Sequence, residues 1–192
     1  MNLKSSFVQF LNQKYPQIGL DNLDAMISEQ LLSPFHVTLS NETFKQLQTE
    51  ITSYETLKLW SQDHLTSDFE AKGLRQPANS AVCTSYDFHI NDQGQPKLIE
   101  INTNAAFLAL GLELYEFHQH KPETNFDEQQ MIAMFKKDMD LCESISDEIS
   151  ILEEKPQEQR LFIEFLVYKN IFEKYKIKTH ILDINEIDQA PL

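Results

Sequence analysis

A single strand, helix, strand pattern near the end of the sequence constrains the fold more than any other feature. In DEISILEEKPQEQRLFIEFLVYKNIFEKYKIKTHILDI, Ile149 to Leu152 reads as a strand, Pro156 suits a helix first turn, and Leu161, Phe165, Tyr168 and Phe172 share one helical face. Lys178 to Leu182 reads as a second strand, so the two strands are predicted to run parallel with the helix as crossover. Two parallel strands cannot bury both faces of a sheet. This unit, 146–192, is therefore expected to dock on the rest of the chain, to continue in a longer polypeptide, or to be completed by a second copy or a partner chain.

Residues 1–145 are predicted to form a helical domain carrying a β-hairpin. Leu3, Phe7, Val8, Phe10 and Leu11 recur at helical spacing, and LDNLDAMISEQLL continues helix-like to Leu32, before Pro34 breaks the pattern. Phe35 to Ser40 alternates like a short strand. Ser40 can cap a long helix bearing Phe44, Leu47, Ile51, Leu57 and Trp60, and Ser61 to Ser80, polar and punctuated by Gly73 and Pro77, reads as a loop. Two strand patterns follow, Val82 to Ile90 and Lys97 to Thr103, joined by the turn formers NDQGQP. Phe107, Leu110, Leu114 and Phe117 then mark a helix, and Gln129 to Leu141 another. The predicted class is mixed α/β: a helical N-terminal scaffold with an antiparallel hairpin, then a βαβ unit.

The hairpin holds the most informative residues. In LIEINTNAA, Glu100 sits between Leu98, Ile99 and Ile101 in what otherwise reads as a buried strand, where an unpaired charge is costly. Side chains alternate along a strand, so Leu98, Glu100, Asn102 and Asn104 share one face, as do Cys83, Ser85, Asp87 and His89 on the strand before. Pairing Phe88 with Ile99 and Tyr86 with Ile101 sets Asp87 opposite Glu100 and Ser85 opposite Asn102. A slip of one residue sets Asp87 against an isoleucine. Two carboxylates directly across a hairpin repel unless a cation, a shared proton or a basic neighbour relieves them. Mg²⁺ suits such a place, since it takes oxygen ligands, usually one or two carboxylates with water and phosphate completing its shell. A hairpin with one face in water shows the same alternation with no function. Asn104 can cap the following helix, and the N-terminus of that helix, opened by Ala105 and Ala106, can alternatively receive an anion.

Thirty acidic against sixteen basic side chains leave a net charge of −14, which repels nucleic acid and anionic membrane surfaces alike. Neither is an expected partner. No apolar run approaches the length of a membrane span, and the N-terminus lacks the pattern of a secretory signal, so the expected location is the cytoplasm. Cys83 and Cys142 are far apart, in no metal or disulfide spacing, and read as packing residues.

YDFHINDQGQPKLIEINTNAAF resembles the centre of an uncharacterised ATP-grasp-like family. It is more distantly similar to the corresponding segments of eukaryotic-type glutathione synthetases and glutathionylspermidine synthetases, which have a circularly permuted ATP-grasp arrangement. LLSPFHVTLSNETFKQLQ and the βαβ segment resemble flanking parts of that family, so the likeness spans essentially the whole chain. It implies that Glu100 and Asn102 are Mg²⁺ ligands and that Asp87 belongs to the same catalytic site. Ser85 stands where glutathione synthetases carry a substrate-binding arginine; with His89 and Asn104, which share the polar face of the hairpin, it is an expected substrate contact. The implied reaction uses ATP to phosphorylate a small-molecule carboxylate, with an amine or thiol attacking the acyl phosphate. The ATP-holding lobes of the permuted fold lie downstream of the βαβ unit, so these residues alone are expected to be inactive. The alternative expectation is a non-catalytic binding or assembly module that keeps the scaffold.

Three further groups read as structural. His118 and His120 end a helix, where an exposed imidazolium is favoured. Glu153, Glu154 and Asp183 lie at the carboxyl edge of the parallel strands, where open sheets collect ligands, but loop acids are commonly just solvated. The aromatic stripe Phe162, Phe165, Tyr168 and Phe172 reads as core.

Overall fold

The structure, a computed structural model, describes residues 2–32, 38–74, 81–103, 105–120, 126–141 and 148–189. In chain order the elements are α1 (Leu3–Lys14), α2 (Leu20–Met26), α3 (Asn41–Ala71), β1 (Thr84–Ile90), β2 (Pro96–Thr103), α4 (Leu108–Phe117), α5 (Glu128–Leu141), β3 (Glu148–Glu153), α6 (Phe162–Lys174) and β4 (Lys178–Asp183), with short 3-10 turns at Glu29–Leu31, Pro156–Glu158 and Ile184–Gln189. The class is mixed α/β: β1 and β2 pair antiparallel, β3 and β4 pair parallel, and the N-terminal region is helical. Among the described residues no helix is long and apolar enough to cross a membrane.

By its internal contacts the chain divides into residues 1–35 with 106–192, and residues 36–105. This differs from a boundary at 145/146. The reason lies in the crossover helix: Ile163, Val167, Ile171 and Phe172 of α6 enter the same buried cluster as Phe7 and Leu11 of α1, Leu23 of α2, Leu110 of α4 and Met131 of α5. One core thus serves both the N-terminal helices and the βαβ unit. The face of α6 that it uses keeps Tyr168 and Phe172 of the expected aromatic stripe and leaves out the other two. Ile163, Glu164, Val167, Tyr168, Ile171 and Phe172 are buried, whereas Phe162 and Phe165 are half-exposed. Pro156 opens a separate 3-10 turn, and α6 begins only at Phe162.

The second unit is built on α3. Ser40 caps it as expected, its hydroxyl accepting the Thr43 N–H at 3.0 Å. The helix runs thirty-one residues, through most of the segment expected to be loop. Polar residues between Ser61 and Ala71 do not stop a helix; a residue able to turn left-handed does. Gly73, at φ +68, takes that role, with its N–H on the Glu70 carbonyl and the Leu74 N–H on that of Phe69, both at 2.9 Å. The paired bonds form a Schellman motif. Residues 38–40 carry no strand, and the rest of the strand expected at 35–40 lies outside the described residues.

The β1–β2 turn is organised by Asn91, whose Oδ1 accepts the N–H groups of Gln93 and Gln95 at 3.0 and 2.9 Å. Side-chain to backbone bonding of this kind is why asparagine opens turns.

Candidate cation site on the hairpin

The ladder pairs Thr84 with Thr103, Ser85 with Asn102, Tyr86 with Ile101 and Asp87 with Glu100, the register that alternation favoured. Past Asp87 it shifts. Phe88 pairs with Leu98 rather than Ile99, so Ile99 is the extra residue of a β-bulge and stands 67% exposed. Ile101 is 42% exposed and Glu100 is exposed, so the expectation of a buried strand around Glu100 is corrected. The cost of a buried charge does not arise at this position.

The oxygen-bearing groups nevertheless converge. Ser85 donates its hydroxyl to Asp87 Oδ1 at 2.8 Å. The Asn102 amide nitrogen donates to Glu100 Oε1 at 3.0 Å and reaches Asp87 Oδ2 at 3.4 Å. The amide NH₂ group therefore lies between the two carboxylates, the partial positive charge on its hydrogens moderating their repulsion. Asp87 and Ser85 are half-buried, while Glu100 and Asn102 are open to solvent. His89 is exposed and falls opposite Lys97, two positions past the paired acids. Asn104 lies outside the described residues; beside it, the Ala105 N–H extends the hairpin ladder to the Cys83 carbonyl at 2.8 Å.

On its other side the hairpin is held to α3. The Tyr86 hydroxyl donates to Glu55, and its ring stacks on that of Tyr54 with centroids 6.3 Å apart. The hydrogen bond to Glu55, with lesser help from burial, pushes the Tyr86 phenol up to about 12.

No family model, no curated protein and no solved structure matches this chain. The chemical reading of the hairpin accordingly rests on its own donor set. Among the described residues no three histidine, cysteine, aspartate or glutamate side chains gather into a metal centre. Two carboxylates and a hydroxyl, joined by the Asn102 carbonyl if its amide turns over, would instead make a partial oxygen set, of the kind that Mg²⁺ completes with water and phosphate.

The first unit holds two charged arrangements that sequence reasoning missed, and both are saturated internally. Glu164 of α6 is fully buried and accepts the N–H groups of Phe107 and, at 3.1 Å, Ala109. Phe107 precedes α4 in a left-handed conformation and supplies no side-chain cap, so Glu164 caps that helix from a distance. The helix N-terminus considered as an anion site already holds this carboxylate. Its signal in the sequence was a lone acid inside the apolar run LFIEFLV.

Glu113 of α4 is likewise buried, with Tyr15 donating to Oε1 and Lys14 to Oε2, both at 2.6 Å. Lys14 also reaches Glu116 at 2.8 Å. Burial by itself would lower the Lys14 ammonium, but its bonds to Glu113 and Glu116 outweigh that and hold it above the ordinary lysine range. A recess of about 470 Å³ opens beside this staple, lined by Leu112, Tyr115, Phe126 and Glu128 among others. His118 and His120 stack with ring centroids 6.1 Å apart. At the edge of the parallel sheet, Asp183 accepts the N–H groups of Asn185 and Lys155, each at 3.0 Å. Those bonds, Asn185 first, hold its carboxyl below the usual aspartate range, and they tie loops together. Cys142 lies outside the described residues.

Proposed function

We propose that Ser85, Asp87, Glu100 and Asn102 form a Mg²⁺ and substrate half-site of an ATP-grasp-like ligase that joins a carboxylate to an amine or thiol in the cytoplasm. The observation that carries this reading is the position of the Asn102 amide, within 3.0 Å of one carboxylate and 3.4 Å of its cross-strand partner. A cation placed there would meet oxygen from both acids, and Asn102 would present its carbonyl once the amide turned over. Glu100 and Asn102 would be ligands. Asp87 would orient the group being phosphorylated, and Ser85 would hold Asp87 in place. In the overall reaction ATP phosphorylates the carboxylate, and the amine or thiol displaces phosphate from the acyl phosphate. Mg²⁺, when bound, supplies neutralisation of phosphate charge and alignment of the reacting groups. His89, exposed beside Lys97, is the residue of this edge best placed to meet an anionic substrate group.

The test is a magnesium titration followed by side-chain carboxyl chemical shifts, comparing the protein with Glu100→Gln. Saturable movement of Asp87 and Glu100 signals is expected, weakened about tenfold or more when one carboxylate is removed. Identical titrations in the two proteins would remove the cation site. Phosphate release from ATP in the presence of acid and amine or thiol substrates tests the ligase reading separately.

A second reading, a non-catalytic binding or assembly module, draws support from α3. None of its thirty-one residues is buried, and Leu57, Leu59 and Trp60 are at least half-exposed. Under that reading the hairpin carboxyls ignore magnesium, and α3 is covered by a partner protein or a second copy.

A further inference from the structure

We propose that Tyr86 and Glu55 are positioning residues for the hairpin site, acting through the backbone of β1 without touching the cation. The inference rests on the cation reading above for its functional meaning, and on geometry for its mechanism. Asp87 stands at the last pair before the register shift, and the ladder resumes beyond it at Phe88 and Leu98 with Ile99 left over on β2. One residue earlier the chain is gripped. The Tyr86 hydroxyl donates to Glu55 Oε1, and the ring lies at 22° to that of Tyr54, both partners being consecutive residues of α3. Lys58, one helical turn on, holds Glu55 Oε2 at 3.6 Å and so orients the acceptor.

Strand geometry turns this grip into control of the opposite face. Adjacent side chains of a strand point to opposite sides, so restraining Tyr86 toward α3 sets the direction in which Asp87 leaves the other side. Cross-strand pairing passes the restraint on: Tyr86 lies opposite Ile101, between the Ser85–Asn102 and Asp87–Glu100 pairs that carry the oxygen donors. The bulge leaves Ile99 unpaired beside the Asp87–Glu100 pair, and the tyrosine clamp adds a restraint on β1 that the ladder does not supply.

The experiment compares the whole chain with Tyr86→Phe and Glu55→Gln. The first keeps the ring on Tyr54 and loses the hydroxyl; the second keeps an acceptor for it. Without magnesium, the Asp87 and Glu100 carboxyl resonances are expected to shift in Tyr86→Phe and to stay near their original positions in Glu55→Gln. With magnesium, Tyr86→Phe is expected to bind about three- to tenfold more weakly, while Glu55→Gln stays within about twofold. A merely structural hydroxyl would lower the melting temperature and leave these resonances and affinities alone. Unchanged Asp87 and Glu100 resonances in Tyr86→Phe overturn the positioning role. A wild-type protein insensitive to magnesium overturns the cation reading instead, and the magnesium-free comparison still decides whether the clamp positions the acids. If Tyr86→Phe does not fold, Glu55→Ala, which removes the acceptor from a half-exposed position on the helix, carries the same comparison.

Discussion

Glu164 accepts the backbone N–H of Ala109 at 3.1 Å across fifty-five residues of chain. A helix start that lacks a local cap is thereby completed by a carboxylate from the crossover helix, which couples formation of α4 to docking of α6. Removing the side chain leaves buried N–H groups without partners, each worth about 1–3 kcal/mol, besides the cavity left behind. Glu164→Ala is expected to lower unfolding stability by about 3 kcal/mol in urea titrations. Glu164→Gln, whose amide keeps only one acceptor atom, should fall between.

The pH dependence of stability provides a second test of the same residue. Burial raises the Glu164 carboxyl above its ordinary value, and this outweighs the N–H bonds from Phe107, Leu110 and Ala109 that favour the ionised form. The folded protein therefore holds this proton to higher pH than the unfolded chain does. The stabilisation associated with that proton is fully present below the ordinary glutamate range and is lost as pH rises through the raised value. Comparing denaturation midpoints with those of Glu164→Gln from pH 4 upward should reveal a falling contribution, about zero slope marking its end.

The Lys14–Glu113 pair predicts a large coupling for a contact that is partly open. Glu113 is 2% exposed, and removing the ammonium leaves Tyr15 as the remaining side-chain donor to its carboxylate among the described residues. Lys14→Met is expected to cost about 3 kcal/mol, and Lys14→Met with Glu113→Gln less than the sum of the two single changes. A double-mutant cycle by chemical denaturation measures the difference.

Alkaline titration of tyrosinate absorbance checks the clamp on Tyr86. Its phenol, ordinarily near 10, is held up to about 12 by the bond to Glu55. The contribution to stability is present below pH 10 and is lost as pH rises toward about 12. Tyr86→Phe should remove one late-ionising tyrosine; Tyr15, raised by burial and by Glu113, should remain late.

Gly73 offers the simplest test of where α3 stops. At φ +68, with no described atom within 4 Å of the place a side-chain carbon would occupy, alanine there carries backbone strain and meets no clash among the described residues. Gly73→Ala should cost about 1 kcal/mol, visible as fraying of the last turn in helical chemical shifts.

How much of this was legible in the residues depended on whether the determining forces were local. The Asp87–Glu100 register followed from alternation between two short strands, and Ser40 announced α3 through its own hydroxyl. The bulge at Ile99 did not follow, because it reflects how Phe88 and Leu98 pair and not what either residue prefers. The end of α3 was misplaced by reading polarity as loop, when Gly73 was the true stop. Glu164 escaped because its partners are backbone amides fifty-five or more residues away, and its helical neighbours gave it the look of an interruption in an apolar stripe. The βαβ pattern correctly gave the parallel pair; its merger with the N-terminal helices depended on which side of α6 faced them.

The absence of any buried residue along α3 also has a kinetic consequence. With no side chain sealed from solvent, its central turns open by local fluctuations, so backbone protons there should exchange with deuterium long before those of α1 or α6, whose buried residues belong to an apolar core. The protein would then show two clocks under one set of conditions, and a ligand that slowed the faster one alone would reveal itself as a binder of the helix or of the hairpin clamped to it.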